Sequence, residues 1–241
     1  MNKLFRLSGI LLLPFLLTSC FSLDSIITIE KTGMVRTENT IDISQMATMM
    51  QAFASGSTLS GSSSQSMNKN LCEDTEFTSG FSSSSGITVL GCTSLGDYKA
   101  RVSTEFQAKK NPSILFLSGG IVVIDALYVS SNTSIGSPGS NDDNSNQFPE
   151  DMSPEELGIR MTESIIVPGK IAYKDGGILS SPERVNINLA DPKIAKKKEF
   201  IIISTPSGKK LKPAEVAKYK RLLRNQVRLE KQKLNKTRNM D

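Results

Sequence analysis

No histidine occurs anywhere in the 241 residues, and no tryptophan. Without histidine, neither a Ser-His-Asp nor a Cys-His nucleophile arrangement can form. The many serines show no nucleophile-elbow pattern, and no Gly-rich phosphate loop opens a helix. The chain therefore reads as a non-enzyme with no cofactor. Metal ligation is not expected either, since histidine is absent and the two cysteines beyond Cys20 lack partner ligands. The acidic run Asn141-Asp142-Asp143-Asn144 lacks the spaced ligands and closing glutamate of a calcium loop. A second long apolar run is also missing. After the first twenty residues the longest one, Gly119 to Leu127, is interrupted by Asp125.

What is present begins at the N-terminus. Lys3 and Arg6 precede the mostly apolar stretch Leu7 to Leu17, which is shorter than the roughly 20 residues a spanning helix needs. Leu17-Thr18-Ser19-Cys20 then reads as a bacterial lipobox, small residues before a thiol that takes a diacylglyceryl group. On this reading residues 1–19 are a lipoprotein signal peptide and Cys20 becomes the lipidated N-terminus. Two or more acyl chains hold a protein firmly at a bilayer. The expected location is the cell membrane or outer membrane, lipid-anchored, on the extracytoplasmic side. An ordinary signal peptide that happens to contain a cysteine, or a short membrane anchor, is the plainer alternative.

Two cysteines then remain, Cys72 and Cys92. An even remainder outside the cytoplasm suggests a disulfide; two free or buried thiols are the other reading. Charge is unevenly distributed. Residues 209–238 hold 12 Lys/Arg against 2 Asp/Glu, whereas residues 20–208 hold 15 against 21. An acidic body thus carries a basic tail.

Along the body, residues 22–43 read as a β-hairpin turning at Lys31-Thr32-Gly33, with Val35, Thr37, Asn39, Ile41 and Ile43 alternating along its second arm. Ser44 offers an N-cap to a helix whose Met46, Met49, Met50 and Phe53 share one face. That face either packs on a sheet or forms an adaptable lipid- or peptide-binding surface. Residues 54–67 and 79–86 are Ser/Gly-rich loops, and residues 130–150 a polar spacer. Strands are expected at Ile87–Cys92, Tyr98–Phe106, Ile114–Leu117 and Ile121–Ile124, the last extending through Leu127 and Val129. Ser153-Pro154-Glu155-Glu156 reads as a helix start. Further strands are expected at Thr162–Val167, Lys170–Tyr173, Val185–Leu189 and Glu199–Ser204.

Ile165-Ile166-Val167-Pro168-Gly169-Lys170-Ile171, Asp175-Gly176-Gly177 and Val185-Asn186-Ile187-Asn188-Leu189, together with the lipobox cysteine and the Gly33 hairpin, resemble the LppM-type domain of bacterial lipoproteins. The resemblance runs from about Cys20 to Ser204. It implies an α+β domain over 20–205, with a curved antiparallel sheet and one or more packed helices. It also implies a cell-envelope setting and binding of lipids or glycolipids, with no catalytic residues. Two features depart from it. Ile187 lies near a position that is commonly Trp in that family, and the chain ends in a basic segment where many members have a transmembrane helix.

Residues 206–241 form that segment, expected to be helical from Pro213. Val216, Tyr219, Leu223 and Val227 fall on one face, with Leu222, Leu229 and Leu234 alongside. Lys218, Lys220, Arg221, Arg224, Arg228, Lys231 and Lys233 cover the remainder as candidate contacts for anionic lipid, another envelope polyanion or an envelope protein. A solvated tail is the plainer alternative. Nucleic acid is not an expected partner outside the cytoplasm. Two functions follow as expectations: binding of a lipid or other amphipathic ligand in a groove between sheet and helix, or a structural or assembly role through the basic helix.

Overall fold

The computed structural model describes residues 21–49, 69–82, 86–133 and 158–238. The lipobox, the acidic run at 141–144 and the helix start at Ser153 lie outside the described residues, as does Phe53.

The hairpin read from the sequence forms as β1 (Phe21–Ile29) and β2 (Met34–Asp42). Gly33 takes φ +83° in its turn, a conformation that costs glycine little because it has no Cβ. The turn closes with the Gly33 N–H donating to the Glu30 carbonyl at 3.0 Å. Residues 44–49 are helical (α1), followed by α2 (Thr75–Ser82), β3 (Ile87–Gly96) and β4 (Lys99–Gln107); residues 79–82, expected as part of a loop over 79–86, are instead the last turn of α2, with Phe81 buried. Then come β5 (Ile114–Leu117), β6 (Ile121–Asp125), α3 (Ala126–Thr133), β7 (Ile159–Ile166) and β8 (Lys170–Lys174). The chain continues through β9 (Ile178–Ser181), β10 (Arg184–Asn188), α4 (Pro192–Ala195), β11 (Ile201–Thr205) and α5 (Pro213–Arg238).

This is an α+β fold built on two sheets. The larger has the order β3-β4-β2-β1-β7-β10-β9 and the smaller β5-β6-β11-β8. Every pairing is antiparallel except β1 with β7, whose parallel register sets Phe21 opposite Ile159. The structure thus adds a second sheet and one parallel seam to the single antiparallel sheet implied by the resemblance.

One face of the large sheet carries the core. Near the β1–β2 turn, Ile27, Ile29, Val35, Phe106, Ile165 and Val185 pack against Val122, Ile124, Phe200 and Ile202 of the small-sheet layer. At the other end of the same strands, Leu23, Ile41, Ala100 and Val102 pack beneath α1 and α2 with Ala47, Leu71 and Phe81. Met46 is half-buried in that second cluster, so the packing alternative holds for this residue. Between the clusters runs a buried polar row. Ser25 donates to Asn39 at 2.7 Å, and the Thr37 and Thr104 hydroxyls lie 2.6 Å apart. Such pairing removes most of the cost of burying hydroxyls and amides. Cys72 and Cys92 form a disulfide that fastens the chain before α2 to edge strand β3.

The expected extension of the 121–124 strand through Leu127 and Val129 is corrected. Asp125 ends β6 and caps α3, its carboxylate accepting the Leu127 and Tyr128 backbone N–H groups, and also that of Phe200 at 3.1 Å. The cap satisfies N–H groups that a helix start otherwise leaves open. Strand β9 was not read from the sequence. Its four residues are all exposed, so it has no buried alternation to betray it.

Candidate functional site

Three turns far apart in sequence meet at one end of the molecule. The β1–β2 turn contributes Ile29 to Thr32, the β5–β6 turn Gly119 and Gly120, and the β7–β8 turn Val167 to Lys170, with Pro206 after β11. They enclose an open groove of about 940 Å³ whose floor includes Ile29, Val122 and Val167 and whose rim carries Lys31 and Lys170. A second cleft of about 650 Å³ adjoins it, bounded by Lys109, Lys110, Pro112, Ile114, Gln226 and Glu230. Lys31, Thr32 and Phe116 line both clefts, which adjoin at the β1–β2 turn and together make a two-part channel. Phe116 is 38% exposed, unusual for a phenylalanine, and presents ring surface to that channel.

Gly169 shapes the groove. It adopts φ +90°, and a Cβ there would sit 2.8 Å from the Thr205 carbonyl oxygen. The tight β7–β8 bend can therefore approach the end of β11 only with glycine at this position. Four lysines and three carboxylates (Glu30, Glu183, Glu230) line the channel, and Glu30 is engaged by Arg36 at 3.2 Å. The arrangement suits a ligand with an apolar part and a charged or zwitterionic head.

Helix α5 is the second feature. Its first half lies on the outer face of the small sheet, where Val216 and Leu223 are buried against Val123, Ile201 and Ile203, with Tyr219 and Tyr173 beside them. Polar contacts fix the helix there. The Lys220 ammonium donates to both Asp175 oxygens, at 2.8 and 3.0 Å, and lies 5.1 Å from the centroid of the Tyr173 ring. The Asp175 carboxylate also accepts the Ile201 N–H at 2.8 Å and the Tyr173 hydroxyl. Arg224 makes a two-point contact with Glu199 at 2.9 and 2.6 Å. Gln226 donates to the Pro112 and Ile114 carbonyls at 3.0 and 3.1 Å, which joins α5 to the start of β5.

Titration follows these contacts. Burial alone would raise the Asp175 carboxyl. Hydrogen bonds from Lys220, Tyr173 and Ile201 outweigh it and hold the group below its ordinary value. The Arg224 guanidinium lowers Glu199 in the same way. Lys220 loses hydration, which favours its neutral form, yet the Asp175 hydrogen bond raises it overall. Asp125 moves the opposite way from Asp175, raised chiefly by burial.

The seven cations singled out in the sequence separate into groups. Lys220 and Arg224 are held by Asp175 and Glu199, and Lys233 pairs with Glu230 at 2.7 Å. Lys218, Arg221 and Arg228 are exposed on α5. Lys231 lies on the same helix, and its side chain is outside the described ones. The apolar face of Val216, Tyr219 and Leu223 serves the protein's own sheet instead of standing free. The groove is lined by neither Met46 nor Met49 and lies between hairpin turns, while the adjoining cleft lies between β5 and α5. Lys31, Thr32 and Val167 to Lys170 belong to turns legible in the sequence, but no ligand contact is assigned to them there. Only turn glycines and isolated lysines mark the groove there, and those occur in most loops.

No helix among the described residues is long and apolar enough to cross a membrane. Among the same residues no cluster of three or more Cys, Asp or Glu could hold a metal ion. No protein-family model matches the chain, and no curated protein matches it. Among solved structures, the folded domain of LppM from Mycobacterium tuberculosis, determined by NMR, is similar at 12% identity. The match covers 82% of this chain and 94% of that domain, with a TM-score of 0.35. The likeness is distant and concerns fold alone.

Proposed function

We propose that the protein is a membrane-tethered envelope lipoprotein, non-catalytic, that binds a lipid or other amphipathic ligand in the channel around the β1–β2 turn. The observation that carries this reading is the pair of adjoining clefts: an exposed Phe116 common to both and a rim of lysines around them. The lipobox motif and the short LppM-type motifs support the envelope setting, and the lack of histidine supports the non-catalytic role. Lipidation at Cys20 would place the anchor directly before β1, with the channel at the strand's far end. Nine residues of strand span about 30 Å, so the channel would face away from the anchoring bilayer.

The test is titration of the protein with dihexanoyl phosphatidylglycerol and dihexanoyl phosphatidylcholine below their micelle concentrations, followed by backbone amide NMR. Saturable shifts confined to residues 29–33, 116–120 and 167–170, and abolished by Phe116→Asp, are expected. Shifts absent for both lipids, or spread evenly over the surface, would overturn the reading.

A further inference from the structure

Helix α5 carries a second stripe, opposite the one that packs on the sheet. Lys218, Leu222, Asn225, Leu229, Gln232 and Lys236 recur at the spacing of a single helical face, and all six are exposed. Leu222 is 36% exposed and Leu229 52%. Arg221 and Arg228 flank the two leucines, each one residue before a leucine and also exposed. From Lys218 onward the stripe contains no carboxylate; Glu215, three residues before Lys218 on the same spacing, is its one acid. The two acids of the helix are drawn elsewhere: Glu215 accepts the Lys212 N–H at 2.8 Å, and Glu230 holds Lys233 and borders the channel. Beyond Glu215, the charges of this outward face are Lys218, Arg221, Arg228 and Lys236.

We infer that this outward stripe is a docking surface for an anionic phospholipid bilayer. The two leucines sit about 10 Å apart along the axis and would enter the interface, while the long basic side chains reach the headgroups. Charge complementarity favours this occupant over a second copy of the chain. A paired copy would bring Arg221 and Arg228 against cations of its own stripe, and like charges at such spacing repel. Because Lys220, Arg224 and Gln226 bind the first half of α5 to the domain, the start of the stripe is held in place and the helix continues from there to Arg238. The inference stands apart from the ligand channel. It concerns the opposite side of α5 and survives if the channel proves empty of lipid.

The experiment uses the full chain reconstituted in vesicles, with a nitroxide at Asn225→Cys between the two leucines. Collision with a water-soluble nickel complex reports whether that position is covered. One arm uses proteoliposomes containing phosphatidylglycerol. A second uses pure phosphatidylcholine proteoliposomes, with and without added protein-free phosphatidylglycerol vesicles, and so separates contact with the carrying membrane from contact with a facing one. Several-fold protection is expected wherever phosphatidylglycerol is supplied. It should be lost at about 1 M salt, where the screening length falls to about 3 Å. Each cation near such a surface contributes roughly a fivefold factor, so Arg221→Glu with Arg228→Glu should abolish protection while circular dichroism stays unchanged. Equal accessibility with and without phosphatidylglycerol would overturn the inference. Protection in pure phosphatidylcholine that resists salt would do so as well, as would protection already present in detergent, which would assign the stripe to a protein contact.

Discussion

Replacing Asp175 by alanine tests how α5 is held. The substitution removes one acceptor of three donors, the Lys220 ammonium, the Ile201 N–H and the Tyr173 hydroxyl. Losing one partner of a fully buried ion pair costs about 3–5 kcal/mol. Here the two side chains are 14% and 18% exposed, so water reaches both and the cost falls to about 2–3 kcal/mol. Urea unfolding followed by far-UV circular dichroism would measure it. Lys220→Met in the same background removes the stranded charge and should restore part of the loss, with a coupling of about 1–2 kcal/mol in the double-mutant cycle. The pH dependence gives a second readout with a definite sign. Asp175 and Glu199 are depressed in the folded state. Their stabilisation is therefore present above their unfolded values, near 3.9 and 4.3, and is lost as pH falls through the lower folded values. Lys220 is raised, so its share is present below about 10.4 and disappears only as pH rises through its folded value. Asp125, raised by burial, works against the acid loss. The wild-type melting temperature should thus drop between about pH 4 and pH 2, and Asp175→Ala should shorten that drop. A cost below about 1 kcal/mol, or zero coupling with Lys220→Met, would refute the claim that this network fixes the helix.

Two further outcomes follow from the same structure. The Cys72–Cys92 bond closes a separation of 20 residues, so Cys72→Ser with Cys92→Ser should cost about 3 kcal/mol in urea unfolding, and a loss below about 1 kcal/mol would contradict it. Gly169→Ala forces a Cβ to within 2.8 Å of the Thr205 carbonyl at positive φ and should cost at least about 1–2 kcal/mol. Gly91→Ala, which meets nothing within 4 Å, should stay within about 0.5 kcal/mol, and similar losses for both would remove the argument about the bend.

Local pattern alone determines much of this protein's secondary structure. Alternation along 34–42 and the Gly33 turn specified the first hairpin, because a strand's two-residue period and a turn's φ requirement are properties of neighbouring residues. The same holds for the β5–β6 hairpin and for α5 starting at Pro213. Asp125 shows the limit of local reading. It sits inside a continuous apolar run, and its role as a cap depends on the backbone that follows it. What only the tertiary structure decided concerns partners. Val216 and Leu223 look like a free amphipathic face until the small sheet is placed beneath them. Lys220 and Lys218 are equivalent in sequence, but Asp175 meets one and solvent the other. The parallel seam of β1 with β7 and the channel at their far end join residues more than a hundred positions apart. Periodicity carries no information about which distant surfaces meet, since that is fixed by how several apolar faces can be buried at once.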